Sequence, residues 1–123
     1  MPEFSISRRL KSFTYAFHGA WVMLKSQHNA WIHAAATAVV IAGGVVCEIG
    51  RHDWALLTFA IGLVWLAEAL NTAIEFLADE VSQERRDRIG KAKDVAAFGV
   101  LAGAITAAII GAIVFLPHIL PTE

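Results

Sequence analysis

Four polar side chains with the capacity for chemistry interrupt an apolar stretch between Val64 and Asp79. They are Glu68, Asn71, Glu75 and Asp79. At 100° per residue these positions fall within an arc of about 80°, so in a helix they share one face over about 16 Å. A carboxylate at membrane depth costs roughly 2.5 to 3.5 kcal/mol, so such a stripe requires either a partner or a function.

The types of these residues suggest a specific reaction. Carboxylates on one face suit a hard divalent cation, and Mg²⁺ usually takes one or two of them together with phosphate oxygens. Lys93 and Asp94 precede a later apolar run, and a lysine there could neutralise phosphate charge. Glu68, placed deeper, could accept a proton from an alcohol dissolved in the membrane. These are the components of phosphoryl transfer to a lipid hydroxyl.

Two other interpretations stay open at the level of the residues. The carboxylates could pair with neighbouring helices and hold an assembly together, or they could line a path for ions. The chain has neither a Walker-type glycine loop nor a protein-kinase signature, so a nucleotide site here would be of an unrelated kind.

Composition places the site in a membrane protein. The chain has 123 residues, enough for one domain, and 57% of them are hydrophobic, which is high for a soluble domain of this size. We expect no signal peptide, because the first residues lack an apolar segment followed by a cleavage site. The single cysteine, Cys47, lies in an apolar run and is expected to be a small packing residue.

The pattern predicts an all-α membrane protein with a surface helix and three transmembrane helices. Residues 5–26 alternate cations with aromatics at helical spacing, which favours an amphipathic helix in the membrane interface, although it could also pack on protein. The predicted spans are 30–47, 54–78 and 95–116, and the charged segment 79–94 is predicted to be a loop.

Small residues and prolines mark the third span. Gly99, Gly103, Ala107 and Gly111 recur every four residues and predict close helix packing, within a bundle or between subunits. The span is expected to stop at Pro117 and Pro121, which cannot continue a helix.

The distribution of cations predicts the topology. Of ten Lys and Arg, four precede the first span, five lie in 79–94, one is in the hairpin between the first two spans, and none follows the third span. By the positive-inside rule the N-terminus and segment 79–94 are cytoplasmic.

The motifs resemble those of a known family. The segment Glu68-Ala-Leu-Asn-Thr-Ala-Ile-Glu75, Asp79 beyond it, and Lys91-Ala-Lys-Asp94 before an apolar span are similar to the signature of the bacterial integral-membrane diacylglycerol kinases and undecaprenol kinases. The resemblance covers nearly the whole chain. Ile32-His33-Ala34-Ala35-Ala36 and Phe115-Leu116-Pro117 look more like the undecaprenol kinase branch.

The resemblance implies a homotrimer in the bacterial inner membrane, with active sites shared between subunits near the cytoplasmic face. It implies that Glu68 accepts the proton of the lipid hydroxyl, with Asn71 beside it. Glu75 would be a ligand of Mg²⁺ that also meets ATP, whereas Asp79 matches an acidic position at the edge of the site.

The nucleotide-binding residues are implied in the same way. Lys93 and Asp94 match phosphate and nucleotide positions. The loop Glu84, Arg85 and Arg86 matches the segment that contacts the nucleotide, and Arg8 and Tyr15 match contacts from the surface helix.

One position departs from the family pattern. A second metal-binding glutamate is expected at the start of the first span, where this chain has Gln27. An amide still offers an oxygen, but it lacks the negative charge that a hard cation favours. Arg86 also stands where the family often has histidine.

The sequence thus predicts an ATP- and Mg²⁺-dependent kinase for a membrane lipid alcohol, undecaprenol before diacylglycerol, with no nucleic-acid partner. The alternative is a non-catalytic three-helix membrane protein whose buried carboxylates serve only oligomer packing.

Overall fold

Four helices account for nearly all of the chain. In a computed structural model, which describes residues 3–84 and 86–120, they are α1 (Ile6–Ser26), α2 (His28–Val46), α3 (Arg51–Val81) and α4 (Asp87–Ile119). Helices α2, α3 and α4 are each long and apolar enough to cross a membrane. The predicted all-α class with three candidate spans is therefore confirmed.

The charged segment 79–94, predicted as a loop, is mostly helical. Helix α3 continues to Val81, and α4 already begins at Asp87. Asp87 lies in the first turn of α4, where the helix dipole favours an acidic group, and its carboxylate is 3.2 Å from the ammonium of Lys91 one turn on. Hydropathy marks where the apolar span begins, but a solvated helix can extend well beyond that boundary.

Helix α4 also runs past its predicted end at Pro117, while Pro121 lies outside the described residues. Pro117 lies inside the helix, which ends at Ile119, because the proline removes only one donor in the last turns. The N–H of Leu120 still bonds to the carbonyl of Leu116 at 2.9 Å and closes that turn.

The turn between α2 and α3 is shorter than its polar sequence suggests. Arg51 already begins α3, so only the residues from Cys47 to Gly50 make the reversal. The left-handed conformation falls on Glu48, with φ of 51°, whereas Gly50 has an ordinary extended backbone.

A small apolar core closes this end of the bundle. Ile49, Leu57 and Val114 are buried together, and Cys47 packs against them in the predicted role. Gly44 makes the contact possible, because a Cβ there would come within 2.7 Å of the Trp54 ring. Trp54 is thus a packing residue of the hairpin.

Helices α3 and α4 form the most extensive contact in the fold. Gly103 lies in this contact, where a Cβ would meet the Ala67 side chain at 3.5 Å. At Gly99 and Gly111 nothing described lies within reach of an added Cβ, so only part of the predicted small-residue stripe packs inside one chain.

Candidate active site

The polar stripe of α3 meets three different parts of the chain. Glu68 lies beside α2, Glu75 beside the junction of α1 and α2, and Asp79 beside the start of α4. Because α2 and α4 both run antiparallel to α3, these contacts lie along the half of α3 that is farther from the α2–α3 turn. The carboxylates that share a face in the sequence therefore also share a site in the fold.

Glu68 is the deepest of these groups. It is 1% exposed, and neither of its carboxylate oxygens has a hydrogen-bond partner among the described residues. The amide oxygen of Asn71, one turn on, is also buried without a partner. Buried polar groups are normally paired, and an unpaired carboxylate is costly. The side chains of Glu68 and Asn71 therefore present buried acceptor oxygens that can receive a hydrogen bond from a donor such as a hydroxyl.

The backbone beneath Glu68 is tied to a neighbouring side chain. Thr72 is buried, and its hydroxyl donates to the Glu68 carbonyl at 2.8 Å. This bond satisfies the threonine locally, so Thr72 does not compete for the Glu68 carboxylate.

Glu75 lies about two turns nearer the helix end and meets Gln27. The Gln27 amide nitrogen is 3.4 Å from a Glu75 carboxylate oxygen, a long hydrogen bond between partly buried groups. Gln27 occupies the break between α1 and α2, which directs its side chain toward α3. The structure thus brings together the two residues that the sequence assigns to the metal.

This pair suits Mg²⁺ when phosphate supplies further ligands. Rotation of the Gln27 amide presents its oxygen beside the Glu75 carboxylate, which gives one charged and one neutral donor. No group of three or more His, Cys, Asp or Glu that could hold a metal occurs in the described part of the chain. Since Mg²⁺ commonly takes one or two carboxylates plus phosphate oxygens, the pair fits a metal that arrives with a nucleotide.

Lys93 is held at the outer edge of the site by Asp79. Its ammonium donates to an Asp79 carboxylate oxygen at 2.6 Å, and both side chains keep contact with solvent. The pair joins α3 to α4. The Lys93 ammonium is partly exposed and has further N–H donors that could bind phosphate. Asp94 follows on α4 and is exposed.

The predicted nucleotide loop, Glu84 to Arg86, lies between Asp79 and Lys93 along the chain. The N–H of Glu84 bonds to the Ser82 hydroxyl at 3.1 Å, and the N–H of Arg86 bonds to the Glu84 carbonyl at 3.0 Å. Arg86 is the N-cap residue of α4. Arg85 lies outside the described residues.

Two predicted contacts of α1 are not assembled within one chain. Arg8 and Tyr15 are exposed on α1, and neither side chain forms a hydrogen bond or ion pair with another described residue. Their assignment to the nucleotide stays a prediction.

His33 is the residue near the site that the motif analysis did not assign. Its Nε2 is 3.3 Å from a Glu68 carboxylate oxygen, and its side chain is 15% exposed. The sequence could have indicated this contact through the antiparallel register of α2 and α3. From Gln27 to His33 is about 9 Å along α2, and from Glu75 back to Glu68 is about 10.5 Å along α3, so facing one pair implies facing the other.

Fold and site together define an all-α membrane protein whose third helix carries carboxylates that meet a lysine, Lys93, and an amide, Gln27. Residues 14–115 match the family model described as prokaryotic diacylglycerol kinase. The chain is 34% identical over 114 residues to the undecaprenol kinase of Bacillus subtilis, with 93% of each chain covered.

Two further relatives are named diacylglycerol kinase. The protein from Escherichia coli is 32% identical over 113 residues, covering 86% of this chain and 93% of that protein. The protein from Synechocystis is 36% identical over 112 residues, covering 90% of this chain and 64% of that protein.

The chain therefore belongs to the prokaryotic diacylglycerol kinase family, as its motifs predicted. It is a lipid kinase, a phosphotransferase of the membrane. Membership in this family of enzymes favours the catalytic interpretation of the buried carboxylates over a role in assembly alone.

Proposed function

We propose that this enzyme transfers the γ-phosphate of MgATP to the hydroxyl of undecaprenol, with diacylglycerol as the next acceptor. The proposal rests on three carboxylates that follow one another along α3, namely Glu68, Glu75 and Asp79. Glu75 contacts Gln27, and Asp79 contacts Lys93. Their order along α3 matches the path of the reaction, from a buried proton acceptor to solvent-accessible groups suited to phosphate.

In the proposed reaction Glu68 takes the proton of the lipid hydroxyl as its oxygen bonds to the γ-phosphorus. The bond from that phosphorus to the bridging oxygen breaks, and ADP leaves with the electron pair. Asn71 lies close enough on α3 to help orient the hydroxyl. Lys93 neutralises phosphate charge at the outer edge, with Asp79 holding it in place.

Gln27 and Glu75 would hold Mg²⁺ together with phosphate oxygens. When bound, the ion neutralises charge on the transferring and leaving phosphates. Asp94, the loop from Glu84 to Arg86, and Arg8 with Tyr15 from α1 are proposed to complete the ATP site.

An apolar groove supports access for a lipid alcohol. It has a volume of about 520 Å³ and lies between α1 and α3. Its lining includes Gly19 and Met23 of α1 and Ala69 and Thr72 of α3, the last two within four residues of Glu68. Such a surface accepts a hydrocarbon chain beside the proposed proton acceptor.

The preference for undecaprenol rests on sequence likeness. The segments Ile32–Ala36 and Phe115–Pro117 resemble the undecaprenol kinase branch, and the B. subtilis relative covers 93% of both chains. An apolar helix surface offers no hydrogen-bonding groups that would distinguish one hydrocarbon chain from another.

We further propose that α1 lies in the membrane interface and that three chains assemble. Four apolar side chains of α1 are each more than half exposed, so the described residues of a single chain leave this face largely uncovered: Leu10, Phe13, Phe17 and Trp21. The family resemblance implies the trimer, and the open faces at Gly99 and Gly111 are compatible with packing between chains.

The family resemblance supports a bacterial inner-membrane location, and the cation distribution supports an orientation in which the N-terminus and segment 79–94 face the cytoplasm. Reporter fusions to the C-terminus and to the α2–α3 turn should then report the opposite side of the membrane. A cytoplasmic signal from either fusion would reverse this topology.

The direct experiment is a phosphorylation assay with a panel of lipid alcohols. Purified protein in lipid vesicles, given ATP labelled on the γ-phosphate and Mg²⁺, should label undecaprenol with the highest kcat/KM and diacylglycerol with a lower value. Preference for diacylglycerol would overturn the acceptor assignment and leave the kinase assignment in place. No labelled lipid in the panel would overturn both.

A further inference from the structure

We propose that His33 is a positioning residue for Glu68: its Nε2–H donates to one Glu68 oxygen and thereby leaves the other oriented toward the lipid hydroxyl. This role rests on the proposed function of Glu68 as proton acceptor. The two residues lie on adjacent antiparallel helices, with His33 Nε2 and Glu68 Oε2 3.3 Å apart.

His33 and Glu68 lie close together but do not form a hydrogen bond in this structure. At this distance the two atoms do not meet in hydrogen-bond geometry, and Nε2 has no other partner among the described residues, nor does either Glu68 oxygen. A buried donor and a buried acceptor left open side by side can both be satisfied by a small rotation of the imidazole. Hydrogen bonds of this kind often tighten only when substrate binds.

The surroundings hold the imidazole near Glu68. The Trp65 ring meets the His33 ring edge-on, with centroids 6.4 Å apart and planes at 64°. The Trp65 indole N–H donates to the Thr37 hydroxyl at 3.0 Å, and that hydroxyl donates to the His33 carbonyl at 2.7 Å.

This arrangement links two helices through paired positions. His33 and Thr37 are one turn apart on α2, while Trp65 and Glu68 are one turn apart on α3. The indole therefore packs beside the ring that faces Glu68 and limits large changes in its orientation while allowing the small rotation that closes the hydrogen bond. A carboxylate free to rotate would spend less time with an oxygen aimed at the acceptor alcohol.

Kinetics of His33 variants test the donor role. His33→Ala should lower kcat roughly 10- to 100-fold, the range for loss of a hydrogen bond to a charged group, with the KM for MgATP changed less than about threefold. His33→Gln keeps an N–H donor and should recover kcat to within about fivefold of the wild type. His52→Ala, on the exposed first turn of α3 at the opposite end, is the matched control.

Trp65→Phe keeps an aromatic ring but removes the donor to Thr37, so it should give a smaller fall in kcat than His33→Ala. Wild-type kcat in His33→Ala would overturn the proposal. An equal loss in His33→Ala and His33→Gln, accompanied by an equal loss of thermal stability, would assign His33 a purely structural role and would also overturn it.

A measurement without turnover separates this inference from the proposed function. In the full chain labelled with ¹⁵N histidine in detergent micelles, Glu68→Gln should shift the Nε2 resonance of His33, whereas Glu80→Gln on the exposed side of α3 should not. An unchanged resonance would overturn the contact. A shift in a protein that phosphorylates no lipid would support the contact and reject the proposed reaction.

Discussion

Near its beginning α3 buries Leu57 against Ile49 and Val114, whereas half-way along it buries Glu68 with both carboxylate oxygens unpartnered. Both side chains are 1% exposed, so depth alone does not distinguish them. The difference lies in their partners: the apolar end is closed by packing, and the polar end is open to donors. One region of α3 thus stabilises the fold, and another region presents reactive groups.

This division has a physical basis. An apolar side chain is satisfied by contact with any well-shaped neighbours, so the Leu57 region is complete within one chain. A carboxylate needs directed donors, and those near Glu68 are incomplete in the described structure. The comparison predicts that changes at the two ends of α3 will separate turnover from stability.

The largest effect is expected from Glu68→Gln. Loss of a general base typically costs 10²- to 10⁴-fold, so lipid phosphorylation should fall by about that factor while the oligomer stays assembled. The measurements are initial rates with labelled ATP and the oligomer mass in detergent, with Glu80→Gln as control. Activity within about twofold of wild type would contradict the assignment of Glu68.

Leu57→Ala should have the converse effect. Removing this buried side chain leaves a cavity and should lower the free energy of unfolding by about 2 to 5 kcal/mol, measured by thermal melting in detergent. The rate per folded enzyme should stay near that of wild type. Leu56→Ala, at a neighbouring position that is 40% exposed, should cost much less. Equal costs would indicate that subunit contacts cover Leu56 as well.

An intermediate effect is expected from Gln27→Glu, which restores a second carboxylate opposite Glu75. The Mg²⁺ concentration for half-maximal activity should fall about three- to tenfold, because added ligand charge strengthens binding of a hard cation. Without Mg²⁺ the two carboxylates repel each other, so the stabilisation of the fold by Mg²⁺ should also increase.

Gln27→Leu is the paired test, since it removes the amide oxygen and should raise the Mg²⁺ requirement. If Gln27→Glu leaves both the Mg²⁺ requirement and the Mg²⁺-dependent melting temperature unchanged, Gln27 is not a metal ligand.

The smallest effect is expected at the turn beside the apolar core. Glu48 has φ of 51°, a conformation that costs a residue with a Cβ roughly 1 kcal/mol more than glycine. Glu48→Gly should therefore raise thermal stability by up to about that amount without changing turnover. Gly50→Ala is the control, because its backbone is extended and nothing lies within 4 Å of an added Cβ. A lower melting temperature for Glu48→Gly would show that the glutamate side chain stabilises the turn.

Much of this organisation could be read from residue patterns. Apolar runs identified the three candidate spans, and 100° spacing placed Glu68, Asn71, Glu75 and Asp79 on one face. The predicted partnership of Gln27 with Glu75 is seen as a contact of 3.4 Å. The polar face could be predicted because charged residues are rare within apolar runs of this length.

Helix ends were less predictable. The charged segment 79–94 was expected to be a loop, yet α3 and α4 extend into it from both sides. Pro117 was expected to stop α4, but the helix continues to Ile119. In segment 79–94 the charges marked the limit of the apolar span but not of the helices, and at Pro117 the loss of one donor was too small to end the helix.

The sequence by itself determined the membrane class, the family and the polar face of α3, since these depend on residue type and spacing along one chain. Only the tertiary structure decided which groups meet across helices: His33 with Glu68, Trp65 with Thr37, and Lys93 with Asp79. Such pairings depend on the register between helices, which is set by packing contacts such as Trp54 over Gly44 and not by the periodicity of any single helix.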